Sequence, residues 1–353
     1  MSTTTTTSAA PTFTTDASEN QTDRAELSIF LATPALADPR DTYRFALNSI
    51  LTAEALGYSY AWVAEAHFNP LIALPAALTF LAAAAQATDR IRLGTAVVPL
   101  AFDHPIRVAE TAAIVDALSD HRLELGVGKG NPRGFSTDSY NAFGLDEGNR
   151  NEIFAEAVAA LKAALGEPIP AGDKEVSIVP PAAGLLERIW QATGDHATAA
   201  AAGRAGDGLM LFRTVPDGVA GEVQSLLIDS YLEQFDHSAG QPRIGISRSL
   251  LIASSREQAI ADAVADVEAR PDSHPFGPES LDEESVAAFL TKADVVFGST
   301  EDVIEGLNKD AAVARSTTYL FNLPYTPAGS TAQDEALELI ATEVYPHMRS
   351  ILS

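Results

Sequence analysis

The stretch from Tyr60 to Gly130 decides the fold: YAWVAEAHFNP (60–70), LIALPAALTFLAAAAQATDR (71–90), IRLGTAVVPL (91–100), AFDHPIRVAETAAIVDALSD (101–120) and HRLELGVGKG (121–130). It reads strand, helix, strand, helix, strand, because short apolar runs bounded by turn residues alternate with segments of helical period. Each strand finishes in residues that suit a ligand. Glu65 and His67 follow the first, Gly94, Thr95 and Ala96 sit in the second, and Gly126, Gly128, Lys129 and Gly130 close the third. Parallel strands with polar and glycine residues at their C-terminal ends are where α/β enzymes place their sites.

The alternation continues on both sides. Further strands are expected at 27–33, 189–193, 208–213, 243–253 and 317–323, joining those at 60–65, 91–98 and 123–129. Helical patterns fall between them at 42–56, 76–87, 106–118, 151–165, 197–205, 218–235, 257–269 and 301–307. Strands alternating with helices imply a parallel sheet, and this number of units predicts an α/β fold of the (β/α)8 TIM barrel type. Two excursions are longer than plain connections: 131–150 after strand 4 and 271–291 after strand 7. Such insertions are expected to be lids or substrate loops.

Residues 1–25 are Thr/Ser-rich without apolar periodicity and are expected to be a disordered extension, leaving 26–353 as the barrel domain. They have neither the cationic start nor the apolar run of a signal peptide. The net charge of −25, from 23 basic and 48 acidic side chains, argues against nucleic acid or an anionic membrane as partner. No cysteine is present, which removes disulfides and thiolate chemistry and suits a cytoplasmic address. From Phe68 to Thr88 no residue is charged, but Pro70, Pro75, Thr79 and Gln86 speak for a packed helix rather than a membrane span. The seven histidines are scattered without paired spacing, so no metal site is expected.

Taken alone, the glycines of GVGKG let backbone approach a ligand, and Lys129 offers a point charge to a phosphate or is a loop lysine. The alternating ATGDHATAAAAGRAG segment (192–206) ends a strand at Thr193 and starts a helix near Asp195, whose free amides present an anion site. Asp195 itself is either a helix N-cap or part of that site. His104 precedes Pro105 at a helix start and is read as structural. Arg213 and Arg248 are candidates for a substrate carboxylate or for pairing with acids.

The segments WVAEAHF, RIRLGTAVVPLAFDHPIRVAETAAIVDALSDHRLELGVGKG, WQATGDHATAAAAGRAGDGLML and VFGSTEDVIEGL together resemble the bacterial luciferase-like flavin-dependent monooxygenases. That resemblance implies reduced FMN at the barrel mouth, supplied by a partner reductase, reaction with O2, and oxygen transfer to a small organic substrate. Some relatives use F420 instead, and a flavin-binding relative without catalysis is a third reading. The resemblance also implies a homodimer built through helices 2 and 3. It places a non-prolyl cis peptide between Ala96 and Val97 beneath the flavin ring. It puts Gly128, Lys129 and Gly130, with Thr193, Gly194, Asp195 and Thr198, around the flavin phosphate, Lys129 standing where the family usually has arginine. Luciferases carry Glu-His-His where this chain has Glu65, Ala66 and His67. His67 matches the second histidine, as an acid or base or as a substrate-orienting group. Ala66 removes the first, so luciferase-type aldehyde chemistry is not expected.

Overall fold

The structure, a computed structural model, describes residues 24–130, 135–212, 219–269, 278, 280–323 and 330–348. The expected extension therefore lies almost wholly outside the described residues, as do Arg213, residues 131–134 and residues 271–277. Ala25, assigned by composition to the extension, is instead buried, and its carbonyl accepts from the Tyr345 hydroxyl at 3.0 Å.

A closed parallel barrel is formed by β1 (Glu26–Leu31), β2 (Tyr60–Val63), β3 (Arg92–Thr95), β4 (Leu123–Gly128), β5 (Ile189–Ala192), β6 (Gly208–Leu211), β7 (Ile244–Ile252) and β8 (Thr318–Asn322). Each strand pairs with its successor, β6–β7 included, and β1 pairs with β8 to close the ring. The expected α/β TIM barrel is thus the observed fold. The expected third strand ran to residue 98. The ladder stops at Thr95, where the Ala96–Val97 peptide is cis, and a short Val98–Pro99 segment then pairs with β4.

Two cores hold the barrel. The larger lies between the sheet and its outer helices, where residues such as Ile50, Leu81, Val115 and Leu161 are buried. The smaller fills the lumen with Trp62, Ala96, Trp190, Ala192, Met210 and Leu320. Trp62 and Trp190 come from strands that are not neighbours, so they meet only across the lumen, edge to face at 5.3 Å. Each fully buried indole removes on the order of 200 Å² from water, worth about 5 kcal/mol at roughly 25 cal/mol per Å². The indoles fit because glycines face them. A Cβ on Gly94 would lie 2.0 Å from Trp62 Cε3, and one on Gly208 would lie 2.4 Å from the Trp190 ring.

Below the indoles, at the N-terminal ends of the strands, buried Glu124 takes Arg92 Nε at 2.7 Å and Trp190 Nε1 at 2.6 Å, with Arg243 Nη1 at 3.7 Å. Burial, reinforced by the Glu124 charge, pushes the Tyr60 phenol up to about 12. The barrel floor is therefore sealed, which leaves the C-terminal mouth as the open end.

The two excursions differ. Residues 131–150 contain a helix, Phe135–Ala142, that stands over the mouth. Residues 271–291 run into a helix, Glu283–Lys292, not expected from sequence. It packs on helix Arg256–Ala269 and on a further strand, Val295–Gly298, paired to the C-terminal half of β7. Val286, Leu290 and Phe297 give this layer its own small core, so the described part of that excursion is scaffold. Among the described residues no helix is long and apolar enough to cross a membrane.

Replacing Gly94 with alanine forces a methyl into the Trp62 ring, and overpacking of this kind costs about 1–3 kcal/mol. Gly184→Ala, whose Cβ would meet only Arg188 Nη2 at 3.7 Å, is the matched control. Urea denaturation is expected to show the first loss and a change within about 0.5 kcal/mol for the second.

Candidate active site at the barrel mouth

Two clusters lie at the mouth. The first follows β2. Glu65 Oε2 accepts the Ala77 amide at 2.8 Å, holding the start of helix Ala77–Ala87, which has no side-chain cap of its own. The other oxygen of Glu65 lies 3.3 Å from His67 Nε2. The imidazole stands edge-on to Phe102 at 5.4 Å and to Phe143 at 5.3 Å, and Tyr140 packs on Phe102 at 4.9 Å. Ser139 donates to the His67 carbonyl at 3.3 Å, tying helix Phe135–Ala142 to this loop. A small cavity of about 170 Å³ opens beside the pair, lined by Glu65, His67, Thr79, Val98, Phe102 and Thr111 among others. Glu65 and His67, both singled out in the sequence, are brought together, with one carboxylate both contacting the imidazole and capping a helix. A larger groove, about 670 Å³, runs between helix Thr300–Lys309 and residues 342–347, remote from both clusters in its lining residues.

The second cluster joins the ends of β4 and β5. Lys129 is 8% exposed. Its Nζ donates to Asp195 Oδ2 at 2.5 Å, to Asn151 Oδ1 at 2.9 Å and to Thr198 Oγ1 at 2.9 Å, and it lies 5.8 Å from the Phe154 ring centroid. Asp195 is the N-cap of helix His196–Arg204, its Oδ1 accepting the Thr198 amide at 2.8 Å. Thr193 Oγ1 donates to Asp195 Oδ2 at 3.0 Å and accepts the Asp195 amide at 3.0 Å. Partial burial raises the Asp195 pKa, but the Lys129 ammonium, the Thr198 amide and the Thr193 hydroxyl outweigh it and hold the group at about 2.

This is a donor set for an oxyanion: an ammonium, a helix-terminal amide and threonine hydroxyls. The oxyanion it holds is the chain's own carboxylate. Asp195, left open from sequence between cap and ligand site, is a cap that also neutralises Lys129.

Of the other expected positions, Gly128 faces Val97, whose Cγ2 would be 2.5 Å from an added Cβ, so the β4 end and the cis peptide are in direct contact. Gly130 adopts φ +75°, the left-handed region that favours glycine. Gly194 faces open space. Gly94 and Gly126 do not open the mouth. The first makes room for Trp62, and a Cβ on the second would strike the Thr95 carbonyl at 2.0 Å. His104 caps helix Pro105–Leu118, accepting the Ile106 amide at 3.3 Å, as read from its position before proline. Arg248 is fully buried against Asp310 and Gln224, which settles its alternatives in favour of an internal ion pair. Sequence reading missed Asn151, Tyr140 and Arg150. The last two donate to the Lys129 carbonyl, Arg150 at the looser 3.4 Å. These residues lie 11 to 22 positions from Lys129, and helical periodicity carries no signal for such contacts.

The luciferase-like monooxygenase family model matches residues 18–316, and the chain belongs to that family. It is similar to the Sinorhizobium fredii protein y4vJ, 33% identical over 48% of this chain and 49% of that protein. It is also similar to limonene 1,2-monooxygenase of Rhodococcus erythropolis, 35% identical over 30% of this chain and 28% of the other. The chain thus spans about half or less of the length of these curated relatives. In overall fold it resembles the oxygenating constituent of 3,6-diketocamphane monooxygenase from Pseudomonas putida, solved with FMN, at a TM-score of 0.71. That match covers 93% of this chain and 99% of the other at 16% identity.

Asp195 is held lower in the folded chain than its ordinary 3.8. The contribution of its ion pair is therefore present above about pH 4 and lost as pH falls toward 2. Asp195→Asn keeps a cap and removes this titration. Wild-type protein is expected to lose more stability than the variant between pH 4 and 2, read by chemical denaturation at each pH. Parallel curves would refute the coupling.

Proposed function

We propose that this chain is the oxygenase of a flavin-dependent monooxygenase system. In this reading it takes reduced FMN from a separate reductase and uses O2 to oxygenate a small organic substrate. Family membership supports the monooxygenase class, and the observation that carries the site assignment is the Glu65–His67 pair beside a cavity at the mouth of a barrel whose floor is sealed. Bound reduced flavin would supply the electrons that activate O2. The Ala96–Val97 peptide, packed on Gly128, is the surface on which its ring would rest.

The chain's own groups do the rest. His67 has its Nε2 oriented by Glu65, and among the described residues its Nδ1 makes no hydrogen bond, so it can accept or return a proton at a substrate oxygen. Phe102 and Phe143 stand edge-on to that imidazole, an apolar surface that favours an apolar substrate. With Ala66 where luciferases carry histidine, proton transfer in this loop falls to His67. Glu65 acts through His67 as a positioning residue.

We further propose that two chains pair across helices Ala77–Ala87 and Pro105–Leu118. Ile114 is 50% and Leu118 44% exposed on the second, beside the uncharged first helix. Sedimentation is expected to give a dimer.

Titration with oxidised FMN, reduced FMN and F420, followed by O2-dependent turnover against a panel of small apolar substrates, tests the assignment. FMN binding is expected. Binding of F420 alone would move the chain to the deazaflavin branch, and binding of none would refute the reading. His67→Gln is expected to lower kcat by about 100-fold or more with flavin affinity retained. An unchanged kcat would remove His67 from the chemistry.

A further inference from the structure

We infer that Asp195 is a resident occupant of the anion subsite at the ends of β4 and β5, and that it makes this chain nearly indifferent to the 5′-phosphate of a flavin. The inference rests on the flavin reading above. It deepens that reading by naming what sets the preference among flavins.

The donors of this subsite are already engaged. Lys129 is more than nine-tenths buried, and its ammonium already makes three hydrogen bonds, to Asp195, Asn151 and Thr198. The Thr198 amide, which a helix N-terminus would offer to a phosphate, is held by Asp195 Oδ1 at 2.8 Å. The Thr193 hydroxyl is engaged with the same carboxylate and with the Asp195 amide. A phosphate brings a charge of about −1.5 to −2 into a subsite whose lysine charge is already cancelled. Arg150 adds no free cation: it donates to the carbonyls of Lys129 and Gly130 and faces Glu147 at 3.9 Å.

The carboxylate is also placed to leave. The Asp195 side chain is 43% exposed, whereas its lysine partner is not. A phosphate can thus enter by exchange, one oxyanion for another, with Asp195 rotating into solvent. Exchange returns little net binding, because hydrogen bonds of similar kind are broken and remade and the displaced cap leaves its helix end. A flavin without the phosphate leaves the whole cluster intact. The ring and ribityl chain then carry the affinity.

The test compares reduced FMN with reduced riboflavin under anaerobic conditions, by fluorescence or calorimetry, on the full chain and on Asp195→Ser. Serine keeps an N-cap and vacates the carboxylate. In the wild type the two dissociation constants are expected to agree within about threefold. In the variant FMN is expected to tighten by about tenfold or more, with riboflavin unchanged, as one newly available charge-assisted anion site allows. Wild-type preference for FMN of tenfold or more would overturn the inference and leave the flavin reading standing. So would a variant that binds FMN no better. Should the variant fail to fold, the wild-type ratio decides alone. Failure of both flavins to bind either protein would overturn the inference and the proposed function together.

Discussion

The edge-to-face contact of Trp62 with Trp190 is the constraint on which the rest of the barrel depends. Two indoles from the non-adjacent strands β2 and β5 fill the lumen above the Glu124 cluster. They are tolerated only because Gly94 and Gly208 carry no Cβ where the rings lie. With the lumen filled and its floor closed by Arg92, Glu124 and Arg243, chemistry is confined to the ends of the strands beyond them. That is why both polar clusters sit after β2, β4 and β5, on loops whose ends are fixed by the strands below.

The fold was legible because its signal is local. Alternating periods mark strand and helix within windows of a dozen residues, and eight repeats of that pattern are hard to mistake for an open sheet. The site was legible in residue type but not in partnership. Gly94 and Gly126 look like ligand-approach glycines in a strand, yet one accommodates an indole 32 residues away and the other a neighbouring carbonyl. Glycine announces a close approach without saying by what. Helix Glu283–Lys292 was missed because its acidic start (Glu283, Glu284) and modest apolar stripe read as a loop until Val286, Leu290 and Phe297 are seen to share a core.

The two ionic clusters show how context sorts residues of the same kind. Glu124 is met by two guanidinium groups and an indole N–H in a packed floor, an arrangement that costs desolvation and returns mainly a defined geometry. Lys129 and Asp195 form a pair at the mouth, buried on one side and open on the other. A pair of that asymmetric kind is suited to exchange, since only its exposed member must move.

The replacement at Ala66 acquires its meaning from Glu65. A carboxylate that both caps helix Ala77–Ala87 and orients His67 fixes the imidazole relative to the barrel wall through two bonds from one side chain. With alanine in place, the position contributes a backbone amide to Leu74 and little else, and the loop from 64 to 76 is held by backbone pairing to Thr33 and Leu31. The imidazole of His67 is held by the Glu65 carboxylate on one side and faces Phe102 and Phe143 on the other.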